Sequence, residues 1–191
     1  MTVVGGQPRG RRLCAVLVTL VGTSFVPHAG AGADGPLVEL VGAAARRLGL
    51  DEPVAAFEWK TGGAVEDPAR VRQELDALGA QASVRNIDAG YVARIFGDQV
   101  NATEAIEYSR FAQWKLDPDS APADATDLSA SRSAIDALIE TMPSQVVANW
   151  DVLHSPACAG RLDAARTDVA RPLDGLYRQA LSAATRSYCQ R

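Results

Sequence analysis

The chain has 191 residues, 19 Lys and Arg against 23 Asp and Glu, a formal net charge of −4 and 47% hydrophobic residues. That length suits one domain or two small ones. The acidic balance argues against a nucleic-acid partner, because phosphate binding needs a basic surface.

The first element is an export signal. Arg9, Arg11 and Arg12 form a basic start, Leu13 to Val26 (LCAVLVTLVGTSFV) is an apolar run of 14, and Ala31-Gly32-Ala33 supplies an A-x-A cleavage pattern. Residues 1–33 are expected to be a secretory signal peptide, leaving 34–191 as one secreted or periplasmic domain. The run is short for a bilayer span and no second one follows, so no membrane anchor is expected after cleavage. Cleavage removes three arginines and no acid, which leaves 16 basic and 23 acidic residues and a net charge of −7.

The rest reads as helix nearly throughout. Leu37, Leu40, Val41, Ala44, Ala45 and Leu48 recur at three and four. The pattern resumes after Asp51-Glu52-Pro53 and stops at Thr61-Gly62-Gly63. Asp67 before Pro68 is an N-cap followed by an N1 proline, opening a helix to about Arg85 with Val71, Leu75 and Leu78 inward. Asp88 opens a long helix to about Leu116, carrying Tyr91, Val92, Ile95, Phe96, Val100, Ile106 and Phe111. Residues 117–127 form a polar loop. A long helix over 128–153 follows, with Pro143 expected to kink it or cost it a hydrogen bond. Two last helices divide near Arg171-Pro172. The expected class is all-α, with about six helices.

Within the long helix, QVNATEAIEYSRFAQWK (99–115) stacks Gln99, Thr103 and Glu107 four residues apart on one face. Such a row can face water, with Glu107 pairing with Arg110, or it can line a pocket. Trp59 and Trp114 read as core. Cys14 leaves with the signal. In an oxidising compartment Cys158 and Cys189 most simply form a disulfide. A nucleophilic pair of Cys158 and His154 is the other reading those residues allow. The chain has no glycine-rich phosphate loop, CxxC, HExxH or nucleophile elbow, so no cofactor and no metal are expected. Chemistry here would fall to arginines, carboxylates and hydroxyls.

EPVAAFEW (52–59), EDPARV (66–71), QVNATEAIEYSRFAQWKL (99–116), DLSASRSAID (127–136) and SYCQ (187–190) together carry a family likeness. Over essentially the whole mature region the chain resembles the exported, gamma-subclass chorismate mutases. The resemblance implies a single helical bundle, a Cys158–Cys189 disulfide, a homodimer, and cofactor-free conversion of chorismate to prephenate. That pericyclic reaction folds the substrate's side arm over its ring while negative charge grows on an ether oxygen. On the family's pattern Arg47, Arg70 and Arg132 grip the two carboxylates, Thr103 is a pocket hydroxyl, and Glu107 faces the ether oxygen as a neutral acid.

Two positions depart from the pattern. The family's lysine before the tryptophan of the AAF-x-W stretch is Glu58 here. Lys60 lies two residues on, about 200° around a helix, and should point nearly opposite. Glu74 stands where a neutral amide is expected. Glu58 and Glu74 are therefore substrate-binding candidates whose roles differ from the family's, and Lys60 is a third if local unwinding near Gly62-Gly63 brings it round. The alternatives these departures leave open are a mutase-fold binding protein with weak or no turnover, and an isochorismate-pyruvate lyase.

Overall fold

Helix α1 (Val38–Gly49) forms because its apolar spacing gives one continuous stripe, and Leu37, Leu40, Val41, Ala44 and Leu48 along it are completely buried. The computed structural model describes residues 35–123 and 128–189; the expected signal peptide lies outside them. After a single joint residue, Leu50, helix α2 (Asp51–Thr61) begins. It ends where Gly62 takes φ 69°, a left-handed turn that favours glycine, and the Gly63 amide donates to Glu58 O at 2.9 Å.

Helix α3 (Pro68–Val84) starts as expected: Pro68 opens it and the Arg70 amide donates to Asp67 Oδ1 at 3.0 Å. Helix α4 (Ala89–Leu116) is capped by Asp88, whose Oδ1 accepts from the Tyr91 amide at 2.6 Å. At 28 residues it runs about 42 Å and is the spine, packed by α3, α8, α2 and α1. A 3-10 turn (Pro118–Ser120) leaves it.

Four further helices follow: α5 (Ser129–Ala148), α6 (Trp150–Leu153), α7 (Cys158–Val169) and α8 (Gly175–Ala184). Helix α5 runs through buried Pro143 as one element, and the proline ring leaves Ile139 O without its amide donor. The helix expected over 128–153 divides at Asn149 instead. There the Asn149 side chain donates to Gln145 O at 2.8 Å, sharing that carbonyl with the Asn149 backbone amide at 3.1 Å. Among the described residues there are thus seven helices of ten residues or more, plus the four-residue α6, and no strand. The all-α class is as expected, and the count is close to the expected number of about six.

The main core lies where α1 packs on α5, α7 and α8. Cys158, at the start of α7, is disulfide-bonded to Cys189 after α8. That pairing removes the nucleophilic reading of Cys158. His154 instead stacks on Trp150, centroids 3.8 Å apart. The C-terminal tail is strapped to α4: Tyr91 Oη donates to Tyr188 O at 2.8 Å and Arg186 Nε to Asp98 Oδ1 at 2.8 Å. A second, smaller cluster joins Ala55, Ala56 and Trp114 with Trp59 and Phe111, so both tryptophans are packed as expected. No described helix is long and apolar enough to cross a membrane.

Candidate active site

Two helical stripes face each other across the α2–α4 contact. Asp51, Ala55 and Glu58 fall on one side of α2, and Gln99, Thr103 and Glu107 on one side of α4. The last turn of α1 adds Arg47, whose Nη1 reaches Asp51 Oδ1 at 2.5 Å. Residual exposure is 4% for Gln99, 7% for Thr103 and 4% for Glu107, so the polar row is buried wall and not wet surface. The Thr103 hydroxyl donates to Gln99 O at 3.0 Å, and Gln99 Nε2 reaches Ala44 O at 3.4 Å.

Burial decides the protonation here. It is the largest cause holding the Glu107 carboxyl far above the usual carboxylate range, to about 8; the charges of Glu58 and Asp51 add to it, and Arg47 opposes it. Glu58 is also raised by burial, against a hydrogen bond with Glu107 and the Arg70 charge. The pair therefore shares a proton that resides on Glu107. A protonated carboxyl is a donor, which a carboxylate is not. Burial likewise lifts Asp51 to about 6, against the opposing Arg47 charge.

Donors are scarce in this network. Thr103 has one hydroxyl proton and spends it on Gln99 O, although its side chain also lies beside Asp51. Asp51 Oδ2, Glu58 Oε2, Gln99 Oε1 and Glu107 Oε2 are all buried without a hydrogen-bond donor from a neighbouring residue. Gln99 also opens onto a cavity of about 130 Å³ between α3, α4 and α5. Arg47 and Glu74 are polar members of its wall, with Leu75, Leu78, Phe96 and Met142 among the apolar ones.

The structure gathers most of the expected residues. Arg47, Glu58, Thr103 and Glu107 meet in one network. Arg70 stands beside it, two-thirds exposed, with Nε on Glu74 Oε1 at 2.9 Å. Arg132, in the first turn of α5, is exposed and lies two turns ahead of Ile139, a wall residue of the cavity. Lys60 does not join: α2 stays helical through it, and its Nζ donates to Ala123 O away from the stripe.

Two residues behave differently from the sequence reading. Arg110 is not a solvated charge paired with Glu107; it is mostly buried, bonds Glu52 at 3.1 Å and lies over the Tyr177 ring, joining α2, α4 and α8. Asp51, read only as part of a helix start, is 1% exposed and holds Arg47. Its signal was present in the spacing: four residues after Arg47 and seven before Glu58. Among the described residues no group of three or more His, Cys, Asp or Glu is placed to hold a metal ion.

The chain is 51% identical over 177 residues to the secreted chorismate mutase of Mycobacterium tuberculosis, spanning 92% of this chain and 89% of that protein. It is 49% identical over 180 residues to the secreted chorismate mutase of Mycolicibacterium smegmatis, covering 93% and 99% respectively. Among solved structures, the crystal structure of chorismate mutase from Burkholderia phymatum superposes with a TM-score of 0.76 at 28% identity, over 82% of this chain and 97% of the other. No protein-family model matches the chain.

Proposed function

The chain belongs to the secreted chorismate mutases, and from that premise we propose that its α2–α4 stripe rearranges chorismate to prephenate outside the cytoplasm. Residues 1–33 direct export and are cleaved. Arg47, Arg70 and Arg132 pair with the two substrate carboxylates, which suit planar guanidinium groups. Thr103 borders the ring. Glu107 meets the ether oxygen as a neutral acid and donates to the charge that grows there as the C–O bond breaks. The observation that carries the reading is the buried Glu107, kept protonated by its surroundings at neutral pH.

Glu58 supports a second feature of the reading. It stands where a cation would serve the ether oxygen, and it holds the Glu107 proton toward itself. Glu107 must turn that hydrogen bond from Glu58 to the substrate, so turnover is slow and ligand capture outlasts chemistry. A second copy of the chain is the expected partner, and sedimentation of the purified protein would find a dimer.

Chorismate consumption from about pH 5 to 9 tests the assignment. Turnover should fall as pH rises through about 8, where Glu107 loses its proton. Glu107→Gln, a neutral donor at every pH, should remove that fall. Glu58→Lys should raise turnover by about 10²–10³, the usual worth of one preorganised group at developing charge. A folded parent without turnover, unrescued by Glu58→Lys, would overturn the assignment.

A further inference from the structure

The buried stripe is short of hydrogen-bond donors, and what it lacks defines a ligand. Four oxygens sit without a donor from a neighbouring residue: Asp51 Oδ2, Glu58 Oε2, Gln99 Oε1 and Glu107 Oε2. Asp51, Gln99 and Glu107 are each at least 96% buried, so water does not serve them freely. The hydrogen bond between Glu58 and Glu107 satisfies one oxygen of the pair and leaves the others open. Thr103 cannot help further, since its proton is committed to Gln99 O.

A group bringing several N–H donors and a positive charge is what this arrangement accommodates. A metal ion does not fit, as no three ligating side chains converge among the described residues. A primary ammonium does fit: it offers three donors, and its hydrogen bonds to carboxyl oxygens are charge-assisted. Arg70 and Arg132 stand exposed at the openings of α3 and α5, and both suit a carboxylate. Leu75, Leu78, Phe96, Ile139 and Met142 are apolar members of the wall of the cavity onto which Gln99 opens, with Arg47 and Glu74 in the same wall.

We propose that this pocket binds a zwitterion, a small amino acid with an apolar side chain, its ammonium on the Glu58–Glu107–Gln99 oxygens and its carboxylate on the exposed arginines. Such a ligand shares the pocket with the mutase reaction and competes with it, but its binding does not depend on turnover. Replacing Glu58 by a cation would reverse the preference, since two ammonium groups would then meet.

Three isosteric probes decide the matter by calorimetry on the full chain near pH 7: L-leucine, its des-amino analogue 4-methylpentanoate, and its des-carboxy analogue 3-methylbutylamine. L-leucine should bind at least about tenfold more tightly than either half, because each charged end adds a charge-assisted hydrogen bond. Glu58→Gln should weaken L-leucine toward 4-methylpentanoate, and Glu58→Lys should invert their order. Equal affinity of L-leucine and 4-methylpentanoate, no binding of any probe to the parent, or an unchanged order in both Glu58 variants would overturn the proposal. If the parent binds L-leucine with this Glu58 dependence yet consumes no chorismate, the reaction assignment fails and the zwitterion site stands.

Discussion

The two halves of the molecule are built on opposite principles. Where α1 meets α5, α7 and α8 the buried groups are mostly apolar, and the tail bonds α4 through Tyr91 and Asp98, leaving only single atoms, Tyr188 Oη and Asp98 Oδ2, without a partner. Where α2 meets α4, carboxyls and an amide are buried with too few donors. Burying apolar surface stabilises, whereas burying unsatisfied polar atoms costs about 1–3 kcal/mol each. The first half therefore holds the second in a state that α2 and α4 alone would not choose. Strain of this kind gathers at ligand sites, because a ligand can relieve it.

Mutations in the two halves should separate stability from function. The largest stability loss is expected in the first half: Leu48→Ala, at a completely buried position, should cost about 3–5 kcal/mol in urea unfolding while leaving the pH dependence of turnover unchanged. Replacing Cys158 and Cys189 together by alanine opens a link across 31 residues and should cost roughly 3–4 kcal/mol by loop entropy. Equal losses from truncating Leu48 and Glu107 would break the contrast.

Acid–base behaviour should come from the second half alone. In the unfolded chain Glu107 ionises near 4.5, but in the fold only near 8. Between those values the unfolded state has released a proton that the folded state keeps, so stability is greatest in acid and falls as pH rises. Asp51 acts in the same direction between 3.8 and about 6. Glu107→Gln should flatten the upper part of this decline in thermal melts across pH 5 to 9. The smallest stability effect belongs to Arg70→Ala: its pair with Glu74 is solvent-exposed and worth less than about 0.5 kcal/mol, yet the change should weaken chorismate capture measurably.

How much of this could be read from the chain differs between the halves too. The Leu37–Leu48 stripe and the caps at Asp67 and Asp88 are local signals, and the structure follows them. The break at Asn149, where side chain and backbone share one carbonyl, falls at a polar position that periodicity does not register. At the site, the burial of Gln99, Thr103 and Glu107 was legible through the family likeness and ambiguous from spacing alone. Asp51 escaped because a buried acid and a helix-start acid look alike in sequence. Arg110 escaped because its partners, Glu52 and Tyr177, lie 58 and 67 positions away. Lys60 could be excluded from helical geometry, and its bond to Ala123 O agrees.

The packing of α1 against α5, α7 and α8 sets the order in which the chain can finish folding. The five completely buried side chains of that first stripe belong to a helix whose main partners, α5, α7 and α8, lie about 80 residues or more further along the chain. Contacts between residues so far apart in sequence form slowly, because the intervening chain must be ordered before they reward it. Folding speed should therefore be set by this first core and not by the local α3–α4 pairing.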